Sequence, residues 1–492
     1  YAGWSAALLR GFKSLYLGAF MNILIMGWVN VAMITLLQGF FGISESDAFL
    51  WTGLALVGVV IYVSFSGLKG VVYTDVFQFI LAMCGSIVLA IYVLRAPEIG
   101  GLAGIKEALP EETFNFLPAV GEGSSGGGYQ ISLASFLAFF GMVWWTSWYP
   151  GAEPGGGGYS AQRMLSTKDE RSSFLASAVF QIGHYAVRPW PWIIVALSAI
   201  VLYSSKGDVA SSAPDFITYE CLTQQQNCEV LDAAQQAELD QWTAEWAPVY
   251  GEQLPEALKY QRDYRFGYIF LMRDFMPKGL LGMLLASFFA AYMSTISTQL
   301  NWGASYLIND FYLRFITPNA PRKKSLAMSR AVTLALAIAG LLVTSFMDSI
   351  AGVWQFIMEC GAGLGLVLIL RWYWWRINAW AEIAATIAPF IAYAIAHYAL
   401  DWVFPNSFFF TVAFTTVSWI VVMYATSPEP SSTLRTFYET VRPGGAWKPV
   451  EWKTGEYDGP KGPSTLVLVF QWLIGIGLVY GALFAVGALL WS

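Results

Sequence analysis

Five polar residues crowd one short stretch of an otherwise apolar segment: Ser294, Thr295, Ser297, Thr298 and Asn301. The surrounding segment, 279–312, is long and apolar enough to cross a bilayer. At about 100° per residue, Ala291, Ser294, Thr295 and Thr298 share one helix face. Ser297 and Asn301 flank that face, and Tyr292, Met293, Ile296 and Leu300 lie opposite. Hydroxyls and freed backbone carbonyls are oxygen ligands of the kind that hard cations such as sodium select. The simpler use of a membrane Ser or Thr is to bond its own i−4 carbonyl or to let helices pack closely. Five polar residues on one side, followed by Asn309 and Asp310, favour an ion path.

A carboxylate adds to this. Asp75 sits in YTDVFQ, a few residues inside another apolar segment. A charge there is costly and faces a cavity or a partner. The alternative is that Thr74 and Asp75 cap the start of that helix.

The elements that must position these groups are membrane helices. The chain has 492 residues, 56% of them hydrophobic, and only 12% are charged, with a mean hydropathy of +0.52. A soluble chain carries about twice that charge. Net charge is −6 and pI about 5.2, which gives no footprint for nucleic acid. Neither the four Cys nor the two His have structural-zinc spacing. There is no Ser/His/Asp set and no phosphate loop, so no enzyme chemistry and no covalent cofactor are implied. Apolar runs predict about eleven spans: 13–40, 49–65, 71–93, 131–149 continuing past a break to 163, 173–203, 280–311, 326–346, 350–371, 379–400, 408–425 and 466–491. Basic residues alternate with acidic ones from loop to loop. Arg10, Lys69, Lys168, Lys324, Arg376 and Lys448 mark the cytoplasmic set, which leaves the C-terminus outside.

AAYMSTISTQLN, 290–301, followed by a polar helix end, resembles the signature helix of the sodium/solute symporter family, relatives of sodium/glucose cotransporters. SGLKGVVYTDVFQ, 66–78, is similar to that family's GGL-x-x-V-x-x-TD-x-x-Q segment. The segments YWWRINAW and VRPGGAWKPV fit it too, and the likeness spans essentially the whole chain. The resemblance implies an all-α polytopic membrane protein with a LeuT-like core of two inverted five-helix repeats. On this register the sequence starts at the third core helix, an N-terminally truncated member. The plan is then 1–95 for the rest of the first repeat, 96–130 for an outer loop, and 131–371 for the second repeat, with outer loop 204–264. The remaining 372–492 holds three more helices and a cytoplasmic loop, 428–463.

The resemblance also implies sites. Ala291 by its carbonyl, with Ser294 and Thr295 by hydroxyls, match the main sodium site. Asp75, Ser297 and Thr298 match a second. The substrate region falls on WWTSWYPGAEPGGGGYSAQR, 144–163, where two prolines and four glycines break a membrane helix. It carries Trp148, Glu153, Gly157 and Tyr159, the last matching an aromatic gate. Glycines 156–158 depart from the larger residues of sugar transporters. Met358 stands where those transporters carry Gln; Gln355 and Glu359, at i and i+4, are placed to compensate. Trp144, Trp145 and Trp354 add an aromatic wall. Arg188, beside His184 and ahead of Pro189 and Pro191, seeks a partner within an apolar helix. In the outer loop, Cys221 and Cys228 are candidates for a short disulfide in an oxidising compartment. Cys84 and Cys360 read as packing residues.

The function implied is sodium-driven import of a small polar solute, such as a sugar, sugar acid, amino acid or other carboxylate, across a bacterial plasma membrane. Sodium would be the coupling ion, and solute and lipid the partners. The alternatives are proton coupling through Asp75, a symporter-like sensory domain, and a channel. A channel would need a ring of pore-facing polar residues that the sequence lacks.

Overall fold

A computed structural model describes residues 1–115, 117–120, 130–147, 149, 164–214, 216–223, 231–347, 350–447, 450 and 464–491, with 65–72, 119, 130, 220, 221 and 351 described by backbone alone. Among these residues nine helices are long and apolar enough to cross a membrane: α1 Gly3–Phe41, α2 Glu45–Ser64, α3 Tyr73–Leu94, α5 Glu170–Tyr203, α6 Lys278–Ile316, α7 Arg322–Thr344, α9 Ala379–Ala399, α10 Asn406–Ala425 and α11 Thr465–Trp491. A tenth, α8, is broken into Gly352–Cys360 and Leu364–Tyr373, which meet at 41°. The shorter apolar helix α4, Leu133–Thr146, occupies the place of the remaining expected span. Its continuation through 150–163 lies outside the described residues. A polytopic all-α architecture follows, with one minimal parallel pair, Ala119–Val120 on Gln130–Ile131.

Local signals set the ends. α1 stops at Gly42, whose φ of 64° is the left-handed conformation that glycine tolerates best. Ser44 then caps α2 by accepting from the Asp47 amide. Helical backbone runs on from Glu45 to Leu94, 50 residues, where two helices and an inner loop at Lys69 were expected. Fifty residues in a straight rod would measure about 75 Å, far beyond one bilayer. Tyr62 Oη lies 3.0 Å from Thr74 Oγ1. Twelve residues of straight helix would hold their backbones about 18 Å apart. A straight rod cannot make that contact, so α2 and α3 are not collinear and count as two spans.

Side-chain contacts sort the connections into two groups. At one end Arg10 pairs with Asp310, Lys13 and Arg371 flank Glu382 at 3.6 and 3.4 Å, and the amide of Ala2 donates to Glu429. At the other, Lys106 bonds the carbonyl of Trp491, and Phe114 packs on the Trp491 ring. This second end also carries a folded cap over α5. Its helix Ala233–Tyr250 opens with a capping box between Asp232 and Gln235. Gln261 ties the cap down, donating to the carbonyls of Tyr203 and Gly207 at 2.7 and 2.8 Å.

The central crossing is between α1 and α6. Gly18 and Gly303 bring the two backbones together; a Cβ on Gly303 would stand 2.7 Å from the Gly18 carbonyl. Asn22, buried at the same crossing, donates to the Gln299 carbonyl at 2.7 Å. One turn of helix π geometry precedes it, at Tyr16–Met21, and others fall at Leu137–Val143, Ile182–Val187, Tyr306–Ile316 and Ile395–Ala399. Such wide turns shift a helix face within one element and gather at functional positions.

Candidate functional site

Helix α6 turns its two faces to different surroundings. Tyr292, Ile296 and Leu300 are buried in the main apolar core. Tyr292 also donates to Asn30 Oδ1 at 2.9 Å, pinning α6 to α1. The opposite face is the hydroxyl stripe, and Ala291, at its outer end, is exposed. One face is thus sealed by the apolar core, while Ser294, Thr295, Thr298 and Asn301 on the other are half-buried.

The stripe meets Asp75. The Ser294 hydroxyl donates to Asp75 Oδ1 at 2.5 Å. Asp75 lies on α3, so two helices joined by packing, not sequence, supply this pair. Thr295 donates to the Ala291 carbonyl at 3.0 Å, and Ser297 to the Ser294 carbonyl at 3.0 Å. These last two are the local back-bonds open to any membrane Ser or Thr. Each leaves the hydroxyl lone pairs available, because the hydroxyl acts as donor. Ser297 is buried and Thr298 half-buried. Asp75 is thus placed on Ser294, the residue matched to the main sodium site, and not on Ser297 or Thr298. The chemistry on offer is a carboxylate, four hydroxyls and backbone carbonyls: all oxygen, with no thiolate or imidazole, a donor set suited to a hard monovalent or divalent cation.

The second group of candidates lies on α8. Gln355 Nε2 donates to Glu359 Oε1 at 3.0 Å, as their i, i+4 spacing predicts. The other carboxylate oxygen, Oε2, lies 3.0 Å from His397 Nε2. Glu359 is fully buried with both oxygens engaged. Met358 is packed among Val143, Ala362 and Phe408, and its carbonyl accepts from the Ser147 hydroxyl at 2.9 Å. That bond seats the end of α4 against the bend of α8. Gly365 permits the approach, since a Cβ there would stand 2.1 Å from the Trp145 carbonyl.

Other expectations fall differently. Trp148, Glu153, Gly157 and Tyr159 lie outside the described residues, as do Cys228 and the side chain of Cys221. Arg188 sets its guanidinium over the Trp192 ring, 4.6 Å from the centroid. His184 stacks on Phe180 at 4.9 Å. Cys360 is buried, whereas Cys84 is exposed on the surface of α3.

Sequence reasoning passed over His397. The signal was present: a Gln–Glu pair in an apolar helix calls for a cationic neighbour, and the chain has two histidines. It passed over Asn30 as well, a buried amide that fixes α6 by accepting from Tyr292.

Comparison with known proteins bears on this geometry. The sequence profile of the sodium:solute symporter family matches residues 11–221 and 257–388. The sodium/glucose cotransporter of Vibrio parahaemolyticus is 22% identical over 380 residues, covering 74% of this chain and 60% of that protein. The chain thus spans less than two thirds of that relative's length. The sodium/proline symporter of Haemophilus influenzae is 27% identical over 164 residues, 32% of each chain. The sodium/sialic acid symporter of Aliivibrio fischeri is 25% identical over 159 residues, 31% of this chain and 30% of that one. Among solved structures, a substrate-bound, outward-open Na+-coupled sialic acid symporter aligns over 85% of this chain and 75% of its own, with a TM-score of 0.44 and 17% identity. Two matched blocks that together take in most of the chain, one carrying Asp75 and the other the whole hydroxyl stripe, settle the family: the chain belongs to the sodium:solute symporter family.

Proposed function

We propose that this chain forms the membrane domain of a sodium-coupled symporter that imports a small polar solute by alternating access. The observation that carries the reading is the contact between the Asp75 carboxylate and the Ser294 hydroxyl, on an oxygen-rich helix face. A cation arriving there takes the place of the hydroxyl proton. Ser294 turns its lone pair to the ion, and Asp75 supplies the charge. The Ala291 carbonyl and Thr295 hydroxyl complete one side of the main site. A second ion at Thr298 and Ser297, one turn on, requires Asp75 to leave Ser294 for them. Na+ is the coupling ion and is itself carried.

The solute lies against α4 and α8, between Gln355 and the segment carrying Trp148, Glu153, Gly157 and Tyr159. Glu359 is bound to its own neighbours and Met358 packs in an apolar cluster, so Gln355 is the polar contact offered from α8. The plan of repeats remains 1–95 and 131–371, with 372–492 added. The domain sits in a bacterial plasma membrane. The end bearing Arg10, Lys13, Arg371 and Arg376 is cytoplasmic by the positive-inside rule. Support for an outside C-terminus comes from Trp491, which meets Lys106 and Phe114 in an acidic loop.

The test is a melting curve of the purified protein in sodium against potassium at equal ionic strength. A bound ion at a hundredfold excess over its Kd stabilises by about 2.7 kcal/mol. A sodium-specific rise, lost in Ser294→Ala and Asp75→Asn, supports the reading. Equal curves in the two salts across a wide concentration range, with uptake driven by acid instead, would move coupling to a proton on Asp75.

A further inference from the structure

Between Asp310 and Asp348 the chain has five cations and no carboxylate: Arg314, Arg322, Lys323, Lys324 and Arg330. All five are exposed, and among the described residues none is in an ion pair. Asp310, the nearest acid in sequence, is taken by Arg10 of α1. The cations gather at one end of the α6–α7 hairpin. α6 ends at Ile316 and α7 begins at Arg322, so residues 317–321 alone join two spans. A turn that short stays at the membrane surface, and the cations beside it lie at headgroup depth.

Arg330 is the odd member. It stands eight residues into α7, about 12 Å along the axis from the first turn. Lys323, Ala327, Arg330 and Leu334 recur at i, i+4, i+7 and i+11, and all four are exposed. The buried side of α7 lies elsewhere, at Thr333, Leu336, Ala337 and Gly340. Arg330 therefore projects from the protein into the layer that lipid fills. A guanidinium there with no carboxylate beside it is costly unless an anion meets it. Helix side chains lean toward the N-terminus of their own helix, and the N-terminus of α7 is at the surface. Arg330 thus snorkels toward the headgroups and toward Lys323, two turns nearer the surface. The first turn of α7 holds three cations and no acid, where the helix dipole opposes positive charge, so that charge does nothing for the helix itself. Exposed Phe315, Ile316, Leu326 and Leu334 border the patch.

Cations beside an apolar rim, with no acid among them, complement a phospholipid whose headgroup is anionic. A free anion or an acidic soluble protein would use the cations and leave the rim bare. We propose that the α6–α7 turn is a docking surface for anionic phospholipid. Lys323 and Arg330 clasp one headgroup phosphate, and Arg314, Arg322 and Lys324 draw anionic lipid toward it. Phe315 and Leu334 lie along the acyl chains. The same turn ends α6, the helix that carries Ser294, so the surface charge of the leaflet bears on the foot of that helix. The inference does not rest on sodium coupling, for it shares no residue with the Asp75–Ser294 pair.

The test uses the whole protein in phosphatidylcholine nanodiscs doped with a photoactivatable phosphatidylglycerol, with peptide mapping of the crosslinks. On the wild type, labelling should concentrate in residues 314–334. Excess plain phosphatidylglycerol should suppress it, whereas excess phosphatidylcholine, inorganic phosphate or glycerol phosphate should not. Added salt should weaken it, as screening requires. Lys323→Gln with Arg330→Gln should lower the apparent phosphatidylglycerol affinity about 25-fold, fivefold for each cation near the surface. Arg330→Lys, which keeps the charge, should lose little. Lys168→Gln with Arg171→Gln removes two cations beside the start of α5 and should leave labelling of 314–334 unchanged. Wild-type labelling spread over all the loops, or suppressed equally by phosphatidylcholine, overturns the proposal without recourse to any variant. Equal losses in the two double variants reduce the effect to overall charge and overturn it too. Competition by inorganic phosphate at matched concentration would make this a free-anion site and rule out the lipid surface.

Discussion

Two carboxylates stand in the apolar part of this molecule, and their surroundings differ in kind. Asp75 is half-buried and meets a hydroxyl on a polar helix face. Glu359 is sealed, and nitrogens of Gln355 and His397 engage both its oxygens. A hydroxyl can turn from donor to ligand at little cost, which is why the proposed cation site is placed at Asp75 and Ser294. Both oxygens of Glu359 are already engaged, by Gln355 and His397, inside a sealed site. The same functional group thus stands in two different settings, one against a hydroxyl and one sealed between an amide and an imidazole.

The comparison is most easily broken at Glu359. Glu359→Ala empties a fully buried position and takes the shared partner from Gln355 and His397, and should cost about 2–5 kcal/mol. Chemical unfolding read against wild type measures it, and a cost no larger than that of Asp75→Ala in potassium would remove the distinction. Next in size, Asp75→Asn should erase the sodium-specific stabilisation of about 2.7 kcal/mol while changing the potassium melting curve little. The two faces of α6 can be set against each other in the same way. Gly303→Ala puts a Cβ 2.0 Å from Asn22 Nδ2 and close to backbone, at a cost of about 1–3 kcal/mol. Asp232→Ala, remote from both sites, should cost about 1 kcal/mol through the lost helix cap and leave the sodium response as it was. Smallest of all, Thr298→Ala on the hydroxyl face should fall within about 0.5 kcal/mol in potassium, showing its effect only when sodium is titrated.

The spans were legible because hydrophobic length is a local property: 379–400 and 466–491 reappear in the fold within a residue or two as Ala379–Ala399 and Thr465–Trp491. The two-faced character of α6 was legible for the same reason, from its period. What a helical wheel lacks is height. It put Ser294, Ser297 and Thr298 near one another without saying which would meet Asp75, because that depends on how far α3 slides along α6. His397 escaped notice because its partner stands 38 residues away on another helix. The π-helical turn that aims it is a product of packing and leaves no mark in composition. The substrate segment 148–163 is the reverse case, vivid in sequence through its prolines and glycines.

Helix α11 carries a practical consequence. Only 6% of its most apolar window is covered by the rest of the described chain. It packs against the Ile182–Val187 turn of α5 and sets Trp472 against Trp144 at 5.4 Å and Trp491 against Phe114 at 4.9 Å. Acyl chains must therefore supply most of its coat, and its free energy depends on bilayer thickness and composition more than on any side chain named above. A short-chain detergent that leaves the α1–α6 crossing intact can still strip this helix away, so the choice of amphiphile becomes a variable of every melting experiment on this protein.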